Sequence, residues 1–342
     1  MNWTYHPSSI TNNGWQRSPQ ATTNNHHVRS GIFANSRHIM QNTNKPGHST
    51  FGINRINRCS ILCMAIMKTE IGKFIIKMTK KTKHKTLTVK NLGFKYLNSD
   101  QILHNLNFEV STNEVLCLLG PNGCGKTTLL DCLIGLNKIN VGEILINDEP
   151  TRLMSAKKIA YNLGYVPQTI VASFDYSVID YVVCGYAPHL KMFKRPGKKE
   201  YEKAYEALKQ MKITHLADKS YAQISGGEQQ QVCIARVITQ APDFILLDEP
   251  TSHLDFGNQI QVLKLVKKMT NQGFGIIMTT HNPDHALLMK GKTVMMKKTG
   301  EYVYGKTEKI VTQESLRKLY GVDLFLEESK NANRNTVIAP NI

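Results

Sequence analysis

The segment Val115-Leu-Cys-Leu-Leu-Gly120-Pro-Asn-Gly-Cys-Gly-Lys126-Thr127-Thr128 decides the fold of this 342-residue chain. Its first five residues form a continuous apolar run, which is typical of a strand buried on both faces. The next residues match the pattern G-x-x-x-x-G-K-[ST], in which backbone N–H groups surround phosphate oxygens. Lys126 supplies a positive charge to the β- and γ-phosphates, Thr127 offers a hydroxyl to Mg²⁺, and the helix start adds a partial positive charge. The segment therefore predicts a nucleoside triphosphate site in an α/β domain.

Strand and helix patterns alternate on both sides of this segment. The predicted strands are 86–92, 106–110, 143–146, part of 159–166, 244–247 and 275–280, with a hairpin of 293–296 and 302–304. Residues 170–222 change to helical spacing, most clearly over 198–211, and another helix carries Ile260, Leu263, Val266 and Met269 on one face. This alternation predicts a layered α/β domain, which we place at 86–325, with an inserted helical subdomain at about 170–222.

The two ends of the chain lack such patterns. Residues 1–80 are rich in Asn, His, Ser and Thr and show no steady apolar period, so we predict a disordered, basic and polar extension. Met78 is a hypothetical natural start. Residues 326–342 are predicted to be a flexible tail. The net charge of +17 is typical of proteins that bind nucleic acid or anionic membranes, but most of the excess lies before residue 86, outside the predicted domain.

Composition also limits the cellular setting. No apolar run approaches the ~18–20 residues of a membrane-spanning helix. The seven cysteines are an odd number in a long chain, which predicts free thiols in a reducing compartment rather than a disulfide framework. Cys59 and Cys63 have the spacing of a metal pair, but nothing in the sequence completes a four-ligand set, so free thiols are the favoured interpretation.

Two adjacent carboxylates follow the apolar run 244–247. Because side chains alternate faces along a strand, Asp248 and Glu249 are expected to do different work. Asp248 is placed to hold Mg²⁺, directly or through water, and Glu249 faces the position of an attacking water as a general base. A solvated loop start is the alternative explanation for acids at this position, and the upstream phosphate loop favours the functional one.

The sequence Ile224-Ser-Gly-Gly-Glu228 precedes a predicted helix over 229–239. Ser225 and Glu228 have the spacing of a capping box, with Ser225 before the helix and Glu228 in its first turn. The two intervening glycines are not explained by capping, because glycine within a helix costs up to ~1 kcal/mol relative to alanine. An anion that approaches the backbone at this helix start would explain them.

Six motifs in this order resemble those of ABC-transporter ATPase subunits, over about residues 86–325. They are Gly120–Thr128, Gln168 in Gly-Tyr-Val-Pro-Gln, Ile224–Glu228, Asp248–Glu249, Ser252-His-Leu-Asp255 and His281. Ile224 and Glu228 stand where the family usually has Leu and Gln, and neither change removes Ser225 or Gly227. The resemblance implies the ABC-ATPase variant of the P-loop NTPase fold, with an inserted helical subdomain and an N-terminal antiparallel β subdomain.

The resemblance also implies roles for individual residues. Two subunits would clamp two ATP molecules, with each phosphate loop facing Ser225, Gly226 and Gly227 of the other copy. Glu249, His281 and Lys126 would be catalytic. The implied nucleotide contacts are Tyr96 on adenine, Gly120, Pro121, Asn122, Gly123, Cys124, Gly125, Lys126, Thr127, Thr128, Gln168, Ser225, Gly226, Gly227, Asp248 and Asp255, of which Thr127, Gln168 and Asp248 would also face Mg²⁺.

Three further stretches, 178–189, 248–259 and 281–285, resemble subunits of importers for metal chelates such as iron–siderophores, haem or cobalamin; related members handle molybdate. This implies a homodimer at the cytoplasmic face of the membrane, a permease whose coupling helix contacts residues near 169–190, and a substrate-binding protein that acts indirectly. The sequence disfavours two alternatives. A soluble ATPase acting on nucleic acid or ribosomes is disfavoured by the single cassette, and a degenerate regulatory nucleotide binder by the intact Lys126, Asp248, Glu249 and His281. We therefore expect no nucleic-acid partner.

Overall fold

A computed structural model describes residues 84–97, 99–168, 175–252, 254–330 and 333–341. The predicted extension 1–80, the hypothetical start at Met78, the pair Cys59 and Cys63, and part of the predicted permease contact lie outside the described residues. In the described part of the chain, no helix has the length and apolar character needed to cross a bilayer.

A six-stranded sheet carries the site. Its strands are β3 (Val115–Leu119), β6 (Leu163–Val166), β7 (Phe244–Leu247), β8 (Gly275–Thr280), β9 (Lys292–Met296) and β10 (Tyr302–Lys306), in the order β10-β9-β3-β8-β7-β6. All neighbours are parallel except β9 and β10, which form the expected hairpin. Since β3, β7 and β8 end at one edge, with Leu119 beside Thr280, the residues that follow them meet there.

A second, antiparallel sheet precedes and follows β3 in sequence. It contains β1 (Thr86–Lys95), β2 (Gln101–Ser111), β4 (Val141–Ile146) and β5 (Glu149–Pro150), in the order β2-β1-β4-β5. Leu87 pairs with Val110 on one side and Ile146 on the other. At the start of β1, the buried Leu87 and Val89 alternate with the partly exposed Thr86 and Thr88, as expected for a sheet that covers a core with one face.

The helices pack on both faces of the six-stranded sheet. They are α1 (Lys126–Leu133), α2 (Ala156–Asn162), α3 (Val178–Val183), α4 (Lys198–Gln210), α5 (Gly226–Gln240), α6 (Phe256–Asn271), α7 (Pro283–Met289), α8 (Thr307–Ile310) and α9 (Gln313–Tyr320). Alternate residues of β3 face two hydrophobic cores: Cys117 lies in the core with α3 to α6, and Leu116 and Leu118 lie in the core with α1 and the antiparallel sheet. This two-sided burial explains the unbroken apolar run.

The strand predicted within 159–166 is confirmed and occupies the second half of that range. Residues up to Asn162 belong to α2, and the strand begins at Leu163. Ser155 caps α2 by accepting a hydrogen bond of 3.2 Å from the Lys158 N–H, and this helix leads directly into the strand. The strand is short, and all four of its residues pair with β7.

The flexible tail predicted for 326–342 is wrong for most of its length. Strands β11 (Phe325–Ser329) and β12 (Arg334–Ile338) form an antiparallel hairpin. The Asp284 Oδ1 atom on α7 accepts hydrogen bonds from Arg334 Nη1 at 3.3 Å, Thr336 Oγ1 at 3.0 Å and the Val337 N–H at 3.1 Å. The partly buried Asp284 carboxylate therefore holds β12 in place. Leu326 and Val337 of the hairpin pack against the core.

Candidate nucleotide site

The phosphate loop links β3 to α1 at the carboxyl edge of the sheet. The Gly120 N–H donates to the Thr280 carbonyl at 3.3 Å, and a Cβ at Gly120 would lie 2.4 Å from the Met296 carbonyl oxygen. Gly123 and Gly125 have φ of +79° and +97°, a region that residues with a Cβ rarely adopt. A Cβ at Gly123 would meet no atom within 4 Å. The loop thus combines tight attachment at Gly120 with an open backbone surface at Gly123.

The first turn of α1 has no capping side chain. Its N-cap residue is Gly125, and it contains no acidic residue. By contrast, Ser155, Ser177, Asp255 and Asn282 each accept a hydrogen bond from a backbone N–H in the first turn of their own helix. The partial positive charge at the start of α1 is therefore not offset by its own side chains, which suits it to bind an anion such as a phosphate.

The ammonium group of Lys126 is buried at this helix start. Its Nζ donates to the carbonyl oxygens of Gly120 at 2.9 Å and Pro121 at 3.2 Å, and lies 3.3 Å from Oε1 of Glu249. Only 5% of the Lys126 surface is exposed. A buried charge of this kind requires partners. The two loop carbonyls and the Glu249 carboxylate supply them.

Asp248 lies at the end of β7, beside the phosphate loop. Its Oδ2 atom accepts a hydrogen bond of 2.9 Å from the Thr127 hydroxyl, and its Oδ1 atom accepts one of 2.7 Å from the Thr279 hydroxyl. Carboxylate and hydroxyl oxygens are the ligands that Mg²⁺ prefers. Thr127 and Asp248 therefore form a donor set that fits Mg²⁺, on two elements that meet where phosphate would bind.

Glu249 faces a different group of side chains. Its Oε2 atom lies 3.3 Å from Nδ1 of His281 and accepts a hydrogen bond of 3.4 Å from Nε2 of Gln168. Its backbone N–H donates to the Thr279 hydroxyl at 2.6 Å, and its φ is +42°. The two carboxylates thus have separate partners, and Glu249 brings together three residues predicted for the site, counting Lys126.

Tyr96 lies beside the start of α1. Its hydroxyl is 3.4 Å from the Thr128 hydroxyl and accepts a hydrogen bond of 3.3 Å from Asn137 Nδ2. Its ring meets Phe94 edge-on at 4.8 Å, and 44% of the residue is exposed. An exposed aromatic ring next to the phosphate loop is able to stack on a base.

Ser225, Gly226, Gly227 and Asp255 are not brought to the phosphate loop. Ser225 Oγ donates to Glu228 Oε2 at 2.7 Å, and the Ser225 N–H donates to the same oxygen at 2.8 Å, so the predicted capping box forms. Asp255 caps α6 by accepting from the Asn258 N–H at 2.8 Å. In the described residues, no hydrogen bond or ion pair joins Ser225 or Asp255 to residues 120–128. Ser225 and Gly227 instead line a cavity of about 650 Å³ between α5 and α6.

Three polar residues of the site were missed from the sequence. Thr279 is fully buried, and its hydroxyl donates to the Asp248 carboxylate and accepts from the Glu249 backbone N–H. A threonine near the end of the apolar strand β8 was the available signal. His285 lies within 3.3 Å of the Thr251 and Thr280 hydroxyls, and burial lowers the pKa of its imidazole, which favours the neutral form. The Tyr320 hydroxyl donates to the His281 carbonyl oxygen at 2.7 Å, a tertiary contact with no local sequence signal.

Cys124, although part of the loop, does not present a reactive thiol. Its side chain is buried next to Gly120, where an added Cβ would lie 2.7 Å from its Sγ atom. Burial raises the pKa of the Cys124 thiol, which disfavours the thiolate form. Its contribution to the site is therefore packing and its backbone.

Comparisons with known proteins identify the family of this chain. The family model for ABC transporters matches residues 103–252. The molybdate import ATP-binding protein MolC of Haemophilus influenzae is 36% identical over 72% of this chain and 92% of its own length. A probable iron chelatin transport ATP-binding protein of Helicobacter pylori is 35% identical over 74% of this chain and 99% of its own length. A solved inward-facing structure described as metal-chelate type ABC transporter superimposes with a TM-score of 0.67, at 34% identity, and covers 76% of this chain and 98% of that one.

Proposed function

Because this chain belongs to the family of ATP-binding subunits of ABC transporters, we propose that it powers import of a metal chelate through a separate membrane permease. The family hydrolyses ATP in order to drive transport. An iron–siderophore, haem or cobalamin complex is the proposed class of cargo, supported by the iron chelatin relative and by the metal-chelate type structural neighbour. The subunit would work at the cytoplasmic face of the membrane, with residues near 169–190 against the permease.

Two copies of the chain would hold two ATP molecules between them. In support, the uncapped start of α1 lies at the phosphate loop, while Ser225 and Asp255 begin two other helices and form no hydrogen bond with the loop in the described residues. A second copy would bring its Ser225, Gly226 and Gly227 to the nucleotide of the first. Tyr96 would stack on the adenine of the nucleotide bound by its own chain.

Lys126 and the N–H groups of α1 would bind the β- and γ-phosphates, and this neutralises charge that develops during phosphoryl transfer. Thr127 and Asp248 would hold Mg²⁺, with Gln168 nearby. The metal, when bound, supplies positive charge to the phosphate oxygens. Glu249 would accept the proton of the attacking water, while His281 and Gln168 orient the water and the γ-phosphate.

One observation carries this proposal: the Glu249 carboxylate contacts Lys126, His281 and Gln168 at distances of 3.3 to 3.4 Å. A carboxylate at the carboxyl edge of the sheet, between a phosphate-binding lysine and a histidine, is placed to act on a water beside the γ-phosphate.

Glu249→Gln tests the proposed base directly. The amide keeps the size of the side chain but cannot accept a proton, so turnover should fall about a thousandfold or more while ATP binding persists. The variant should accumulate as a dimer with MgATP, measured by light scattering coupled to size exclusion. Wild-type chain with MgADP, which lacks the γ-phosphate, serves as the control for nucleotide-independent association.

Normal hydrolysis by Glu249→Gln would refute the assigned base. Failure of this variant to dimerise with MgATP would refute the shared site. Both measurements need a folded chain, so its thermal unfolding should first match that of the wild type.

The cargo is tested in cells that lack this subunit. Uptake of a radiolabelled iron chelate should be restored by the wild-type chain and not by Glu249→Gln. Molybdate is the second candidate cargo, because the match to the molybdate importer subunit MolC covers 92% of that protein. Restoration of molybdate uptake alone would replace the metal chelate in the proposal and leave the ATPase assignment intact.

A further inference from the structure

The turn between α3 and α4 carries two of the most exposed large apolar residues in the described part of the chain. Met192 is 83% exposed and Phe193 is 96% exposed. They occupy the middle of a turn closed by the Lys194 N–H, which donates to the Lys191 carbonyl at 3.1 Å. Their side chains therefore project together from a convex tip instead of lining a groove.

The backbone of this turn gives a second reason to look for an external partner. Phe193 has φ of +64°, a conformation that glycine or asparagine adopts easily at the third position of a turn and a bulky residue does not. A buried phenylalanine would offset such strain through its packing. Phe193 gains almost no burial within the chain, so folding alone does not account for its presence.

Positive charge surrounds the two apolar residues. Lys191, Lys194, Arg195, Lys198 and Lys199 are all exposed. None of the five has a carboxylate of a described residue within salt-bridge distance. The nearest acid in sequence, Glu200, accepts a hydrogen bond of 2.8 Å from the Gly197 N–H and so caps α4. We refer to residues 191–199 as the cationic turn.

We propose that the cationic turn docks on the headgroup layer of an anionic lipid bilayer, with Met192 and Phe193 inserted at the boundary with the acyl chains. Apolar tips flanked by lysine and arginine bind such interfaces, because insertion and attraction to anionic headgroups act together. The placement rests on the proposed function, since a subunit coupled to a permease works within reach of lipid headgroups. The turn would hold the helical subdomain against the membrane beside the permease.

The shape of the tip favours a bilayer over a protein partner. A protein would need a matching pocket for a convex Met-Phe pair and acids around its rim. A bilayer deforms around the tip, and its anionic headgroups adapt to the positions of long, flexible cations. An acidic surface of the permease is therefore the competing occupant, and the experiment below separates the two.

Vesicle binding by the full-length chain is the first test. The probes are phosphatidylcholine vesicles with and without about one quarter phosphatidylglycerol. Replacing Met192 and Phe193 by Ser, or Lys191, Lys194 and Arg195 by Gln, should weaken binding to the anionic vesicles at least about tenfold, and added salt should weaken wild-type binding.

Two matched controls remove the same chemistry elsewhere on the domain. One replaces Val303 and Val322, both about half exposed, by Ser; the other replaces the exposed Lys90, Lys264 and Lys309 by Gln. The first control should bind anionic vesicles as the wild type does. The lysine control removes the same three positive charges as the turn variant. Any loss of vesicle binding in this control therefore measures the effect of net charge that is not specific to the cationic turn.

The basic N-terminal residues are present in every variant and could also bind anionic vesicles. A tryptophan reporter at position 193 therefore tests whether the cationic turn itself contacts the bilayer. Relative to the parent spectrum, Phe193→Trp should shift its emission to the blue on anionic vesicles and be quenched by brominated acyl chains. Val303→Trp should do neither.

Wild-type binding by both turn variants, or no shift at position 193, would overturn the proposal. Unchanged vesicle binding together with loss of permease co-purification would assign the turn to the permease, which also overturns it. Hydrolysis and MgATP-dependent dimerisation, measured on the same samples, should not change. If the wild type itself showed neither hydrolysis nor dimerisation, the proposed function would be refuted. Vesicle binding that depends on the cationic turn would still support membrane docking.

Discussion

Helices α1 and α5 both begin at glycine-containing sequences, but their first turns are completed differently. The start of α1, after Gly125, has no side-chain cap and no acid. The start of α5 is closed by Ser225 and Glu228, which form hydrogen bonds with each other and with the backbone. Of these two helices, α1 therefore leaves its first-turn N–H groups open to an anion, whereas α5 closes its own first turn with a capping box.

The cap of α5 bears on how a second copy would bind nucleotide. The Ser225 hydroxyl donates to Glu228, and a bond to a γ-phosphate would require it to donate elsewhere. Gly226 and Gly227 leave the backbone accessible, since a Cβ at Gly226 would meet nothing within 4 Å. Binding across a dimer would therefore exchange an internal hydrogen bond for one to the nucleotide, whereas α1 needs no such exchange.

Among the variants that compare α1 with α5, the largest effect is expected at α1. Lys126→Ala removes the buried ammonium group and should weaken ATP binding about a hundredfold or more, because a charge-assisted contact in a water-poor site is lost. Titration calorimetry with the isolated chain measures it. The exposed Lys90→Ala is the control. Unchanged affinity in Lys126→Ala would show that the α1 start does not bind the phosphates.

Ser225→Ala tests α5 and should separate binding from turnover. Binding of ATP to a single chain should stay within about twofold, while hydrolysis should fall roughly tenfold or more as one contact across the dimer is lost. The cap also disappears, at about 1 kcal/mol of unfolding free energy. Ser155→Ala removes the equivalent cap of α2 and should give the same loss of stability without a change in turnover. Equal effects of Ser225→Ala and Ser155→Ala on hydrolysis would show that Ser225 only caps α5 and makes no contact with nucleotide across the dimer.

Thr279→Val affects the carboxylates next to α1 and leaves α5 untouched. It removes the hydroxyl that bonds to Asp248 and accepts from the Glu249 N–H, so we expect a loss of about 1–3 kcal/mol in unfolding free energy and a several-fold fall in turnover. Thr270→Val, a buried threonine that bonds only within α6, is the matched control. Wild-type activity in Thr279→Val would show that the acids hold their positions without it.

The smallest effect concerns the pH dependence of the α5 cap. Hydrogen bonds from Ser225 lower the pKa of Glu228 below its ordinary value. The folded state is therefore stabilised above the ordinary pKa of a glutamate, and this stabilisation is lost as pH falls through the lowered value. Because Glu228 is solvent-accessible, a few tenths of a kcal/mol are expected. Urea unfolding between pH 6 and about 3 should lose this component in Glu228→Gln; an identical pH profile would contradict it.

Features set by neighbouring residues were predictable from the sequence. The glycine pattern before Lys126, the apolar run before Asp248 and the spacing of Ser225 and Glu228 each specify local backbone and side-chain geometry. Contacts between distant segments were not. Tyr320 reaches the His281 carbonyl from a helix 39 positions further on. The C-terminal hairpin was missed because its two five-residue strands expose many residues, and Asp284, which holds it, lies far away in sequence.

The backbone at Glu249 has a consequence for how this protein responds to selection. A glutamate with φ of +42° is strained by roughly 1–3 kcal/mol, which glycine or asparagine would largely relieve. A library screened only for heat resistance should accordingly enrich those residues at position 249. Survivors would still fold and retain nucleotide, yet transport would stop, so thermostability at this position is gained against activity.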